Sequence, residues 1–302
     1  MEFGRLASSA LDAVDFTLPP EPAQNQAILA GKPASKPQIF TGLNMWGHPT
    51  WVGKLYPQGT RDSQLLTKYA QQYNTIELNA THYKIYPPQH IAQWRKAAPA
   101  QGFKFCPKMY KGITHDGSLL NKQVLLNGFI ESITAFEDAL GPVFIQLSDA
   151  FGPARQAELL SFLAALPGGV QYFLELRHPD WFKPSAVREE LLAFLQQAQI
   201  GSVITDSGGR RDVVHMQLTA PQAFVRFVGN SLHPTDFSRV DQWGFRLKQW
   251  FDQGLESLYF FVHMHNEDLS PELTRYVAKT LATTCPVPVL QPSFVEVQGS
   301  LF

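Results

Sequence analysis

From Phe40 onward, short apolar runs alternate with longer amphipathic ones, and this alternation predicts a repeated strand-then-helix plan. Eight strands are expected near 39–45, 74–80, 103–108, 142–147, 171–177, 201–206, 222–228 and 257–264. Several are rich in β-branched or aromatic residues, as strands buried on both faces are. Between them Leu65, Leu66, Tyr69 and Tyr73 recur at helical spacing. So do Phe129, Ile130, Ile133 and Phe136, then Leu191, Leu192 and Leu195, then Val240, Phe245, Leu247 and Trp250, each set marking a helix with one buried face. The last helix carries a start signal, Ser270 as cap with Pro271 at the first helical position.

An eight-fold alternation fits a closed barrel or an open doubly wound sheet. No Gly-x-Gly-x-x-Gly follows the first strand, where Gly42 stands alone, so the expected fold is a single-domain α/β barrel of the TIM-like (β/α)8 type. The barrel is placed at 38–284, between an N-terminal arm or linker at 1–37 and a C-terminal tail at 285–302. The arm has a weakly helical piece at about 7–15 and then a Pro-rich stretch, and is expected to lie outside the core. Residues 207–221 break the alternation with a Gly-Gly-Arg-Arg turn and an alternating run, Val213 to Leu218. They read as a small β insertion between strands 6 and 7, over the barrel mouth.

With 302 residues, 44% of them hydrophobic, the chain can bury a core of that size. The balance of 25 Lys and Arg against 26 Asp and Glu gives no whole-protein attraction to nucleic acid or anionic membranes, although a local basic patch stays open. Two cysteines, Cys106 and Cys285, suit unpaired thiols in a reducing compartment. There is no apolar run of membrane-spanning length and no secretory pattern at the N-terminus, so the expected location is the cytoplasm. The chain leaves oligomeric state and cofactor unknown.

In a parallel barrel, alternate residues of each strand face the interior, and sites form at the C-terminal rim. Glu77, Asn79 and Thr81 share one parity on strand 2, as do Phe173, Glu175 and Arg177 on strand 5, with His178 and Trp181 in the loop beyond. Strand 3 ends at Lys108, strand 4 carries Gln146, strand 6 ends at Asp206, strand 7 contributes Arg226, and strand 8 runs into His263 and His265. So many ionisable groups at strand ends imply a pocket, because each buried charge costs several kcal/mol unless paired or solvated. The bland alternative is that Glu77, Glu175, Arg177 and Arg226 form an ion network that only fills the barrel. His115, in the loop after strand 3, is a candidate acid or base. Trp46, Trp51, Tyr83 and Trp181 could wall a cleft. His263 and His265 are candidate metal ligands, opposed by the cations Lys108, Arg177 and Arg226, which with Arg210 and Arg211 favour an anionic ligand. Nucleophile-elbow, phosphate-loop, zincin and Cys-x-x-Cys motifs are missing.

These residues resemble the DUF72 family, which includes the YecE-like proteins. The matching segments include Trp51-Val-Gly-Lys-Leu-Tyr-Pro57, Asn74-Thr-Ile-Glu-Leu-Asn-Ala-Thr-His-Tyr83, Phe103-Lys-Phe-Cys-Pro-Lys108, Ile113-Thr-His115 and Gly141-Pro-Val-Phe-Ile-Gln-Leu147. Others are Glu175-Leu-Arg-His-Pro-Asp-Trp-Phe182, Ile204-Thr-Asp206, Phe224-Val-Arg226 and Tyr259-Phe-Phe261, and together the set spans about 39–283. The resemblance implies a TIM-like barrel and no activity, since the family is named for lacking a known function. The chain departs from the family pattern at His82, where many members have Phe, and at His263-Met-His265-Asn266, which replaces an Asn-rich end of strand 8.

Three functions fit. The first is an enzyme acting on a small anionic substrate, phosphorylated or sugar-like. In it Glu77, Glu175, Asp206, His115 or His178 moves protons, while Asn79, Tyr83, Lys108, Gln146, Arg177, Trp181 and Arg226 bind. The second is a metal-dependent phosphoester or nucleic-acid hydrolase holding its metal through His263, His265, Glu175 and Asp206. The third is a non-catalytic ligand-binding or regulatory barrel.

Overall fold

The computed structural model describes residues 3–295. Eight parallel strands form one sheet: β1 (Gln38–Leu43), β2 (Thr75–Leu78), β3 (Lys104–Pro107), β4 (Val143–Gln146), β5 (Tyr172–Glu175), β6 (Gly201–Asp206), β7 (Gln222–Gly229) and β8 (Ser257–Met264). The hydrogen-bonded order is β3-β2-β1-β8-β7-β6-β5-β4. Isolated parallel bridges, Phe105 to Leu140 and Lys108 to Phe144, then join the two edge strands. The result is a nearly closed TIM-like (β/α)8 barrel, as the alternation predicts.

The inward parity is set by bulky residues. Phe40, Cys106, Phe144, Phe173, Val203, Phe224, Tyr259 and Phe261 form a separate buried cluster in the barrel's centre. Phe224 lies 5.4 Å from Phe144, 5.3 Å from Phe173 and 5.0 Å from Phe261 between ring centroids. Aromatic rings this close leave no channel, so a ligand can approach only the inward side chains above them at the C-terminal mouth, the end called the cup below. Residues of the opposite parity, such as Ile76, Ile145, Leu174 and Ile204, pack in the second and larger cluster under the helices.

Four sequence expectations change. Residues 207–221 contain no strand beyond an isolated Ser207–Arg210 bridge and only a short 3-10 turn, Arg211–Val213. Their first residues stay at the rim of the mouth, with Arg210 donating to the Arg177 carbonyl (2.8 Å). The rest return along the outer face of β6, where Thr219 Oγ1 donates to the Ile200 carbonyl (2.6 Å), Ser202 Oγ to the Gln217 carbonyl, and His215 Nε2 pairs with the Val203 carbonyl (3.1 Å). Val213, Val214, Met216 and Leu218 are buried there, in the layer a helix would fill, which is why the run is apolar at alternate positions without pairing as a strand.

The N-terminal arm is also no loose linker. Leu11, Phe16, Leu18 and Leu29 are buried, and the Ser8–Ala13 segment is 3-10 helical. From the C-terminal mouth the arm descends past the Pro234–Gln253 helix, with Leu18 N–H donating to Gln242 and Arg246 donating to the Pro19 carbonyl. Asn25 is fully buried: it donates to the Met216 carbonyl (2.9 Å) and accepts from the Leu218 N–H (2.8 Å). Gly254, at φ 119, ends that helix where the arm crosses, and a Cβ there would lie 2.8 Å from the Ala30 nitrogen.

Two helices differ from expectation at single residues. Phe245 is 66% exposed, because the buried stripe of its helix runs through Trp243, Gly244 and Leu247. Ser270 is the first residue of its helix and bonds Glu267 Oε2, while Leu269 takes the cap position. In the C-terminal tail, Ser293 N–H donates to Gln72 and Val295 N–H to the Lys54 carbonyl; residues 296–302 of that stretch lie outside the described residues.

Candidate functional site

Directly above the aromatic layer, the next inward position of most strands is polar. Arg226 from β7 stands at the centre. Its Nε and Nη2 reach the two Glu77 oxygens at 2.8 and 2.9 Å, and Nη1 reaches both Glu175 oxygens at 2.9 and 2.8 Å. One guanidinium thus bridges two carboxylates in the fork geometry that suits it, with all three side chains at most 2% exposed. Glu77 also accepts from Asn79 Nδ2 and pairs with His263 Nε2, each at 2.9 Å. Glu175 accepts from Gln146 Nε2 (2.7 Å), Arg177 Nε (3.2 Å) and Thr205 Oγ1 (3.3 Å).

The electrostatics follow from this wiring. Burial alone would push the Glu77 carboxyl up, but Arg226 and His263 hold it well below the usual carboxylate range. For Glu175, burial is likewise outweighed by Arg226 and Arg177, which hold it at about 2. Both are therefore permanent anions at neutral pH and poor proton donors. Lys108 Nζ, at the end of β3, donates to Gln146 Oε1 at 2.7 Å and sits 5.9 Å from the Phe144 ring centroid, over which Arg226 also lies at 5.4 Å. Burial, then the neighbouring Arg226 charge, lower the Lys108 ammonium to about 8 despite the opposing pull of Glu175 and Glu77.

The outer rim of the cup carries histidines and a tyrosine. His82 Nδ1 bonds the Met109 carbonyl at 2.8 Å, and its ring lies 5.0 Å from that of His115. Burial and Lys108 bring His82 down to about 4, and the same two causes lower His115. Tyr83 is 68% exposed beside them. On the opposite rim the Phe3 ring of the arm stacks on Arg177 (4.2 Å) and Arg210 (5.1 Å), and Arg210 donates to the Arg177 carbonyl (2.8 Å).

Glu77, Asn79, Lys108, Gln146, Glu175, Arg177 and Arg226 therefore converge, with His115 and Tyr83 at their edge. Asp206 does not join them. Its β6 neighbours Val203 and Thr205 face inward, so Asp206 faces the helices, held by Arg239 Nη1 (3.0 Å), Trp243 Nε1 (2.8 Å) and Arg211. His178 caps a short 3-10 turn by accepting from Asp180 N–H (3.2 Å), and Trp181 is buried with its Nε1 on the Phe151 carbonyl (2.7 Å). Trp51 is likewise buried, bonded to the Glu267 carbonyl. Arg211 binds Asp206 rather than the cup. His263 faces Glu77 while its Nδ1 has no hydrogen-bond partner among the described residues, and among these no three His, Cys, Asp or Glu side chains are grouped to hold a metal ion.

Sequence reasoning missed Thr205 and the buried Arg239, and gave His82 no role in the site. Strand parity held the signal for the first: Val203 fixes the inward side of β6, so Thr205 points in and Asp206 out. Arg239 sits mid-helix and looks like a surface residue in sequence. It is 0% exposed because Asp206 and Asp236 both pair with it.

A family model described as protein of unknown function DUF72 matches residues 40–294. UPF0759 protein YecE of Escherichia coli strain K12 is 29% identical over 282 residues, covering 87% of this chain and 100% of the relative. UPF0759 protein YunF of Bacillus subtilis strain 168 is 27% identical over 165 residues, covering 52% of this chain and 57% of the relative. Among solved structures, a DUF72 family protein from Enterococcus faecalis V583 superposes with a TM-score of 0.67 at 18% identity, covering 85% of this chain and 100% of that one, a likeness of fold.

Proposed function

The chain belongs to the DUF72 family, whose function is not established, and we propose from the site alone that it binds and transforms a small anionic substrate at the C-terminal mouth. The observation that carries this reading is the charge balance of the cup. Arg226 and Arg177 together balance the two carboxylates, Glu77 and Glu175, which leaves Lys108 as one surplus positive charge. A phosphate or carboxylate entering there meets donors without displacing a strong internal anion.

Roles then divide by environment. Arg226, Glu77 and Glu175 position the ligand-facing groups, Arg177 takes the anionic group, and proton transfer falls to Lys108, lowered to about 8, and to His115, which burial and Lys108 keep as a neutral imidazole at pH 7. Asn79, Gln146 and Tyr83 supply further hydrogen bonds. The metal-dependent hydrolase reading draws no support from the geometry, because Asp206 lies on the other face of β6 and Glu175 is already bound by Arg226.

Thermal unfolding against a panel of phosphorylated and carboxylated metabolites of three to six carbons tests the proposal. A ligand at about 100 times its Kd should add about 2.7 kcal/mol of stability. Arg177→Ala should weaken it roughly tenfold or more, the loss of a charge-assisted hydrogen bond. An unchanged melting temperature across the panel, or a response insensitive to Arg177→Ala, contradicts the reading. Binding with no chemical change to any bound compound would leave the barrel a receptor.

A further inference from the structure

We propose that Lys108 is an imine-forming amine, so that the substrate is a small aldehyde or ketone bearing a phosphate or carboxylate; this rests on the anion-binding reading above. Lys108 is 8% exposed, yet among the described residues it makes no ion pair. Its side-chain partner there is the neutral amide of Gln146. A lysine so buried ordinarily has a carboxylate, because an unpaired ammonium out of water is costly. Two carboxylates are close by, and both are taken. Arg226 grips each with two hydrogen bonds, and Gln146, which accepts from Lys108, donates its other end to Glu175. The amide thus stands where a salt bridge would otherwise form, and it leaves Lys108 without a counter-ion among the described residues while 8% of its surface stays exposed.

The arrangement of a lysine beside another cation, over a shared aromatic ring, is one that favours the neutral, nucleophilic amine. With the ammonium brought to about 8, roughly a tenth of Lys108 is free amine at pH 7, against less than about a thousandth for an ordinary lysine. Arg177 is placed for the anionic group: its Nε is bonded to Glu175, and its Nη groups donate to no partner among the described residues. A carbonyl compound with an anionic end can therefore face Lys108 while Arg177 holds its tail.

The reaction balances without any oxidant or reductant. The Lys108 nitrogen lone pair forms a bond to the carbonyl carbon as the carbonyl π pair moves to oxygen. The nitrogen loses a proton and the oxygen gains one, with His115 as carrier, because its lowered pKa leaves it neutral and able to accept at pH 7. A second proton moves the same way, water departs, and the carbon–nitrogen double bond remains.

Reductive trapping tests this directly on the wild-type protein. Glyoxylate and glycolaldehyde phosphate serve as anionic carbonyl probes and glycolaldehyde as the neutral one, each with sodium cyanoborohydride, and peptide mass spectrometry locates the secondary amine. Lys108 should be modified at least about tenfold faster than any exposed lysine at pH 7, with a rate that levels off above about pH 8. The anionic probes should outpace the neutral one about tenfold, and Arg177→Ala should erase that preference. Adducts spread over surface lysines with Lys108 spared overturn the imine, and do so without touching the anion site if calorimetry still detects the same probes binding. Selective modification of Lys108 at equal rates by all three probes keeps the imine and overturns the anionic substrate.

Discussion

At the scale of single residues, the cup is shaped by which charges have partners. Glu77 and Glu175 stay ionised because Arg226 compensates their burial, so removing Arg226 would leave two facing anions. Lys108 is the opposite case: its ammonium is destabilised in the fold, and the unfolded chain holds that proton more tightly. Stability therefore rises with pH between the folded value of about 8 and the ordinary lysine value of 10.5, and the penalty is present in full below pH 8. Lys108→Met should accordingly stabilise the protein at pH 7 by roughly 1–3 kcal/mol, a gain that fades as the pH approaches 10.5. Urea unfolding of both proteins at pH 7 and pH 10 measures it. A variant less stable at pH 7 than the wild type would mean that the ammonium is well compensated.

At the scale of elements, the strands were legible because parallel strands buried on both faces read as apolar runs, and inward polar residues interrupt those runs with period two. Parity turned Glu77 and Glu175 inward, as they lie, and strand position alone did the same for Gln146 and Arg226. It failed for Asp206 because strand ends were counted without fixing parity from Val203. The connection between β6 and β7 was illegible for a different reason. Its alternating apolar residues face a helix-layer slot, and its backbone is satisfied by side chains from elsewhere, chiefly Asn25 at 193 positions from Leu218. A contact so distant in sequence leaves no periodic trace, and it also explains why the arm looked like a linker. Asn25→Ala strips partners from a buried N–H and a buried carbonyl, and the expected loss is roughly 2–4 kcal/mol. Chemical denaturation reads the loss, and hydrogen exchange should quicken along residues 18–29 and 213–219 together. A cost below about 0.5 kcal/mol would show that the arm does not hold this segment.

At the scale of the whole molecule, a net charge of -1 conceals two cation-bearing mouths. The C-terminal one combines Lys108 and Arg177 around paired carboxylates. The N-terminal one opens on a cavity of about 420 Å³ lined by Lys36 and Lys104 together with Glu256, and on another of about 290 Å³ with Glu137. There each lysine has an acidic neighbour on the same wall, whereas the C-terminal cup has its acids already neutralised, so only the latter should attract a small anion. No helix among the described residues is long and apolar enough to cross a membrane. Crystals soaked in selenate locate bound anions by the anomalous signal of selenium, and this measurement bears most directly on the reading of the site. The account predicts a peak within hydrogen-bond distance of the Arg177 guanidinium, on the side that faces Lys108. Selenate found instead at Lys36 and Lys104, with the C-terminal cup empty, would contradict it.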